Sequence, residues 1–167
     1  MQFLDRDDAK LQEEKLRRQI ADRPRPKLVL YYKSGHRDYA DAANAIATAA
    51  GAFTEATLHF LFCVSGDGWN ADPSDHEQWA EYRRWRAANG EHCRLSDKPG
   101  HRFESRETAR LARTIKFSLR LGWDALIAAT PGRQLLFLSH DDRMEIYRGF
   151  DWRPLGEQLI KLGYWQR

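Results

Sequence analysis

Three apolar stretches of the chain end in short polar sequences that carry the residue types of acid–base and metal chemistry. They are Lys33-Ser34-Gly35-His36, Val64-Ser65-Gly66-Asp67 and Leu138-Ser139-His140-Asp141-Asp142. If each stretch is a strand and all three point one way, their loops meet at the carboxyl ends of the strands, where open α/β sheets bind ligands. That arrangement gathers His36, Asp67, His140, Asp141 and Asp142. Imidazole beside carboxylate suits a divalent metal that activates water against a phosphodiester. The same residues are also ordinary turn formers, each stabilising a reversal by a local hydrogen bond or by accepting positive φ. Asp141-Asp142 falls where a tight hairpin is expected, between Leu136 and Leu138 on one side and Met144 and Ile146 on the other. Turn chemistry accounts for the cluster without catalysis, so the sequence assigns no catalytic residue, no metal and no cofactor.

Other nucleophiles and ligands are weaker. His92, Cys93 and His101 suggest zinc, but the chain has neither a CxxC nor an HxxxH pair, and a fourth ligand must come from afar. Cys63 lies inside the apolar run Leu58–Val64 and reads as a small buried hydrophobe. No G-x-S-x-G elbow, P-loop or dinucleotide fingerprint is present. Backbone donors at the start of the helix after His36 and Arg37 offer at most an anion site.

The stronger pattern is charge. Arg106, Arg110, Arg113, Lys116 and Arg120 recur at spacings of 4, 3, 3 and 4, which places all five within about one third of a helix circumference. Leu111, Ile115 and Leu119 lie opposite. Residues 105–133 hold six basic and two acidic side chains, so this segment carries +4 and the rest of the chain −1. Such a stripe can follow phosphates, and Phe117 lies among the charges where it could stack on a base. It also reads as the solvated face of a surface helix. A second basic and aromatic stretch, Trp79 to Arg86, places Trp79 and Tyr82 on one face with Arg86, as packing at the rim of a core.

The elements that position these residues follow from periodicity and breakers. Residues 5–22 form a charged helix with a thin apolar face, stopped at Arg23-Pro24-Arg25-Pro26. Residues 1–26 are thus a charged helix and Pro-rich linker, and 27–167 a single domain. A strand at Lys27–Lys33, an Ala-rich helix at Asp38–Ala50 capped by Gly51, and a strand at Thr57–Val64 predict a βαβ unit with parallel strands. Ser74 and Glu77 box the start of a helix over His76–Asn89. Gly90 to Phe103 reads as a long loop, and Ser105 as the cap of a helix over Arg106–Leu121. Trp123–Thr130, Gln134–Ser139 and Met144–Arg148 read as a three-stranded meander, and a last helix carries Leu155, Leu159 and Leu162. The expected class is α+β, or α/β, with one mixed five-stranded sheet and four to five helices.

The 167 residues suffice for one self-supporting core, and 42% hydrophobic with 31% charged residues is a globular composition. A net charge of +3 is too near balance to imply a polyanion partner by itself. With no secretory signal and no apolar run near the ~20 residues of a membrane span, a cytoplasmic protein without membrane contact is expected. Twenty arginines against seven lysines, and six tryptophans, favour planar recognition of carboxylate or phosphate and large contact areas. The sequence therefore favours a non-catalytic binding protein, such as a regulator, an inhibitor, an immunity-type protein or a subunit of a complex, that engages a macromolecular partner. The alternative is a nucleic-acid-binding protein, including one that acts as a metal-dependent phosphodiester hydrolase.

Overall fold

The computed structural model describes residues 1–21, 25–32, 39–51, 54–60, 80–93, 97–130, 134–148 and 152–166. Seven strands form one antiparallel sheet: β1 (Gln2–Leu4), β2 (Leu28–Tyr31), β3 (Glu55–Phe60), β4 (Gly100–Glu104), β5 (Ala125–Thr130), β6 (Gln134–Ser139) and β7 (Arg143–Arg148), in the order β1-β4-β3-β5-β6-β7-β2. The helices are α1 (Arg6–Ala21), α2 (Tyr39–Gly51), α3 (Ala80–Ala88), α4 (Thr108–Leu121) and α5 (Trp152–Lys161), with a 3-10 turn at Ser105–Glu107. The class is α+β.

The expected meander is present as β5-β6-β7, because its short apolar runs are joined by connections of three residues. Leu136, Leu138, Met144 and Ile146 face the main core, while Leu126, Ala128, Phe137 and Tyr147 cluster on the other face. Three expectations need correction. The parallel βαβ unit does not form: β2 pairs antiparallel with β7, and β3 lies between β4 and β5. β2 and β3 do point the same way, but three strands separate them, because the connection through α2 is long enough to cross the sheet. Among the described residues the sheet has seven strands instead of five. Gly90–Phe103 is not all loop, since β4 opens at Gly100; β1 pairs with β4 at the sheet edge.

The main core lies between the sheet and α2, α3, α4 and α5. Alternation along β1 divides the two faces: Phe3 packs edge-on against Trp85 and His101, whereas Leu4 joins Ala9 in a small cluster beneath α1, which crosses β4 and β5. Gly51 is the last residue of α2 and not a left-handed cap. It permits close approach to α4, since a Cβ there would stand 2.6 Å from Thr108 Oγ1. The cap of α4 also differs from the Ser105 expected: Glu107 accepts a hydrogen bond from the Glu104 backbone N–H at 3.1 Å, completing the 3-10 turn ahead of the helix. At its other end Gly122 takes the left-handed conformation, φ 63°, as Gly90 does after α3.

Candidate anion-binding face

α4 presents Leu111, Ile115 and Leu119 to the core as its spacing requires, and Arg110, Arg113, Lys116 and Arg120 to solvent. Phe117 is the exception. Only 2% exposed, it packs against Tyr82 and Trp85 of α3 at 5.2 and 5.9 Å between ring centres, with the Arg120 guanidinium 5.6 Å above it. It cannot stack on a base, which corrects its place among the contact residues. The reason is tertiary: α3 docks on a flank of α4 that a single-helix projection leaves in solvent.

The cations are interleaved with this chain's own carboxylates. Arg106 Nε lies 2.8 Å from Glu104, Arg110 2.7 Å from Glu107, and Glu81 of α3 spans Arg120 at 2.6 Å and Arg113 at 3.7 Å. Glu107 also receives the Met1 amino group. Lys116 makes no ion pair among the described residues. The pairs to Glu104 and Glu81 are solvated, so each contributes little to stability and leaves its arginine available to another anion, whereas Glu107 is largely buried against the Met1 amino group. The hydrogen bond from Arg120, opposed by partial burial and assisted by Arg113 and Lys116, holds the Glu81 carboxyl below its usual range.

A groove lies on each side of this ridge. One, of about 350 Å³, runs between α4 and the Ala40, Ala43 and Asn44 side chains of α2. The other, of about 440 Å³, runs toward α3 past Arg84, Trp85 and Asn89. Glu81, Ala109 and Arg113 border both. Small residues on the α2 flank, Arg84 and Trp85 on the α3 flank and arginines on the crest give surfaces on which a chain can lie with anionic side chains toward the ridge.

At the opposite concentration of chemistry, the ends of β2, β3 and β6, the strands share one direction, because two antiparallel pairings separate each from the next. Their ends are spaced by two strands, or roughly 10 Å. His36 and Asp67 lie outside the described residues. His140 is held by Asp124, a residue with no sequence signal, which accepts from the His140 backbone N–H at 2.7 Å and faces its Nδ1 at 2.9 Å. Asp141 faces Nε2 at 3.4 Å. Asp124 raises the His140 pKa, first by hydrogen bond and then by charge. Asp142 takes φ 56° and its carbonyl accepts from the Tyr32 N–H. This is a clasped three-residue hairpin turn that ties β6-β7 to β2 and to the start of β5.

Among the described residues no group of three His, Cys, Asp or Glu side chains is placed to hold a metal. The zinc set from the sequence is dispersed: His101 is fully buried with Nε2 2.7 Å from the Tyr82 hydroxyl, while Cys93 is exposed. No described helix is long and apolar enough to cross a membrane. Comparison with family models, curated proteins and solved structures returns no match.

Proposed function

We propose that this chain is a non-catalytic binding protein that holds an acidic segment of a partner protein on the arginine face of α4, in the manner of a regulator, an inhibitor, an immunity-type protein or a subunit of an assembly. The observation that carries this reading is the exposed row Arg110, Arg113, Lys116 and Arg120 set between two grooves with carboxylates interleaved along it. A mixed pattern of charge suits a protein surface of complementary mixed charge, because each carboxylate of this chain then selects for a cation or polar group opposite. It suits a polynucleotide less well. The one aromatic in the row is buried, so no ring is offered for a base to stack on.

The test is fluorescence anisotropy with two labelled probes of equal charge, an oligo-glutamate peptide and a single-stranded oligonucleotide, each titrated at several salt concentrations. The peptide is expected to bind more tightly. Arg110→Gln, Arg113→Gln and Lys116→Gln together should weaken it about tenfold or more, mainly through a slower association rate, and flatten the salt dependence. All three side chains are exposed, so circular dichroism should show an unchanged fold. Tighter binding of the oligonucleotide, with a steep salt slope lost in the triple variant, would establish the nucleic-acid alternative instead. Equal peptide binding by wild type and variant would remove the α4 face from the account.

A further inference from the structure

Glu81 stands where the two grooves and the arginine crest meet. Its backbone is fixed, because the next turn of α3 is anchored by Tyr82 and Trp85, which stack on one another in the core at 5.8 Å. Its side chain reaches outward, 41% exposed, over α4. There one carboxylate serves two guanidinium groups seven residues apart, Arg120 at 2.6 Å and Arg113 at 3.7 Å. Two helical turns are about 11 Å of rise, so both side chains must lean toward a common point to share it.

We infer that Glu81 is an internal stand-in for a partner's carboxylate: it occupies the Arg113–Arg120 fork in the free protein and is displaced by a Glu or Asp side chain of the bound segment. The inference rests on the reading of the α4 face as a binding surface and adds how that surface is regulated. Because the internal pair is solvent-exposed, displacing it costs little, and an incoming carboxylate wins only when neighbouring contacts in the grooves assist it. Isolated or poorly fitting acidic groups are thereby excluded. The fork is kept preorganised by the same contact, which reduces the side-chain ordering left for binding. The lowered carboxyl pKa of Glu81 accords with this, since it keeps the competitor ionised wherever an acidic partner is ionised.

The experiment measures the labelled oligo-glutamate peptide against five proteins: wild type, Glu81→Gln, Glu157→Gln, Arg113→Gln with Arg120→Gln, and that double variant also carrying Glu81→Gln. Glu157, exposed on α5, provides the same change in net charge away from the face. Removing the competitor at Glu81 should tighten binding about fivefold, the scale of one exposed ion pair. Glu157→Gln should change affinity by less than about twofold, and Glu81→Gln should have no further effect once the two arginines are gone. No gain on Glu81→Gln, or the same gain from Glu157→Gln, would overturn the stand-in while loss of binding in the arginine variant kept the surface intact. Wild-type affinity in the arginine variant would instead overturn the surface itself.

Discussion

Replacing Tyr82 by alanine is expected to lower stability by about 3–5 kcal/mol, enough to unfold much of a population of ordinary stability. Tyr82 is 1% exposed and stands at the junction of Phe60, Trp85, Phe117 and Trp123, with ring centres 5.1 to 5.9 Å apart, counting the Trp85–Phe117 contact beside it. These rings connect α3 and α4 to β3 and to Trp123 in the link between α4 and β5. Truncation leaves a cavity bounded by rigid side chains that cannot collapse into it. It also strips His101 Nε2 of the hydroxyl at 2.7 Å. Tyr82→Phe separates the two effects: it keeps the packing and should cost only about 1–3 kcal/mol, the penalty of a buried polar atom left without its partner. Urea titrations of the three proteins, compared by midpoint at constant slope, measure both. Equal midpoints for wild type and the alanine variant would show that α3 does not close the core.

Stability should also fall steeply as pH drops from about 6.5 to about 4. Two histidines are wholly buried, on opposite faces of the sheet: His101 in the aromatic cluster, and His59 in register with Leu126 and against Gly100. Burial, with Arg102 nearby, lowers the His59 pKa to about 4; burial, then Arg86 and His59, keeps His101 well below its usual range. Above pH 6.5 both rings are neutral whether the chain is folded or not. Below it the unfolded chain takes up protons that the folded chain refuses, so unfolding gains ground as pH falls, by about 3 kcal/mol from His59 alone once its folded pKa is reached. His140 acts in the opposite sense, because Asp124 raises its folded pKa, but it is exposed and the gain is screened. Neither His59 ring nitrogen has a hydrogen-bond partner among the described residues. His59→Leu should therefore leave neutral-pH stability unchanged or higher and flatten the acid decline, whereas His101→Phe removes the 2.7 Å hydrogen bond to the Tyr82 hydroxyl and should be costly at every pH. Thermal melts across this range decide the matter; an acid decline as steep in His59→Leu as in wild type would exclude His59 as its source.

Much of this architecture is legible in local pattern, and what is not has identifiable causes. β5 and β6 announce themselves as short apolar runs, β7 by alternation, all three by turns of a few residues, and the inner face of α4 by its four-residue repeat. β1 is too short to show a period. β4 hides behind Pro99-Gly100, whose turn chemistry outweighs the alternation of His101 and Phe103 against Arg102 and Glu104. The pairing of β2 with β7 joins segments more than a hundred residues apart, and no local rule selects it over a parallel neighbour.

The same boundary divides the candidate site. The row of cations is visible from spacing, because a helix fixes which residues share a face. Glu81, which occupies the crest, and Asp124, which clasps His140, are single carboxylates supplied by distant segments, and no spacing marks them. Phe117 is misplaced by its own helix: only the docking of α3 removes it from solvent.

The most direct measurement of the central claim is a chemical-shift map of the isotopically labelled protein titrated with the oligo-glutamate peptide. The account predicts that backbone amides and arginine side-chain signals move along Arg110–Arg120 of α4, at Glu81 and Arg84 of α3, and at Ala40–Asn44 of α2, with little change across β6 and β7. Perturbations centred on Asp124 and His140–Asp142, with α4 silent, would contradict it and transfer the binding function to the carboxyl ends of the strands.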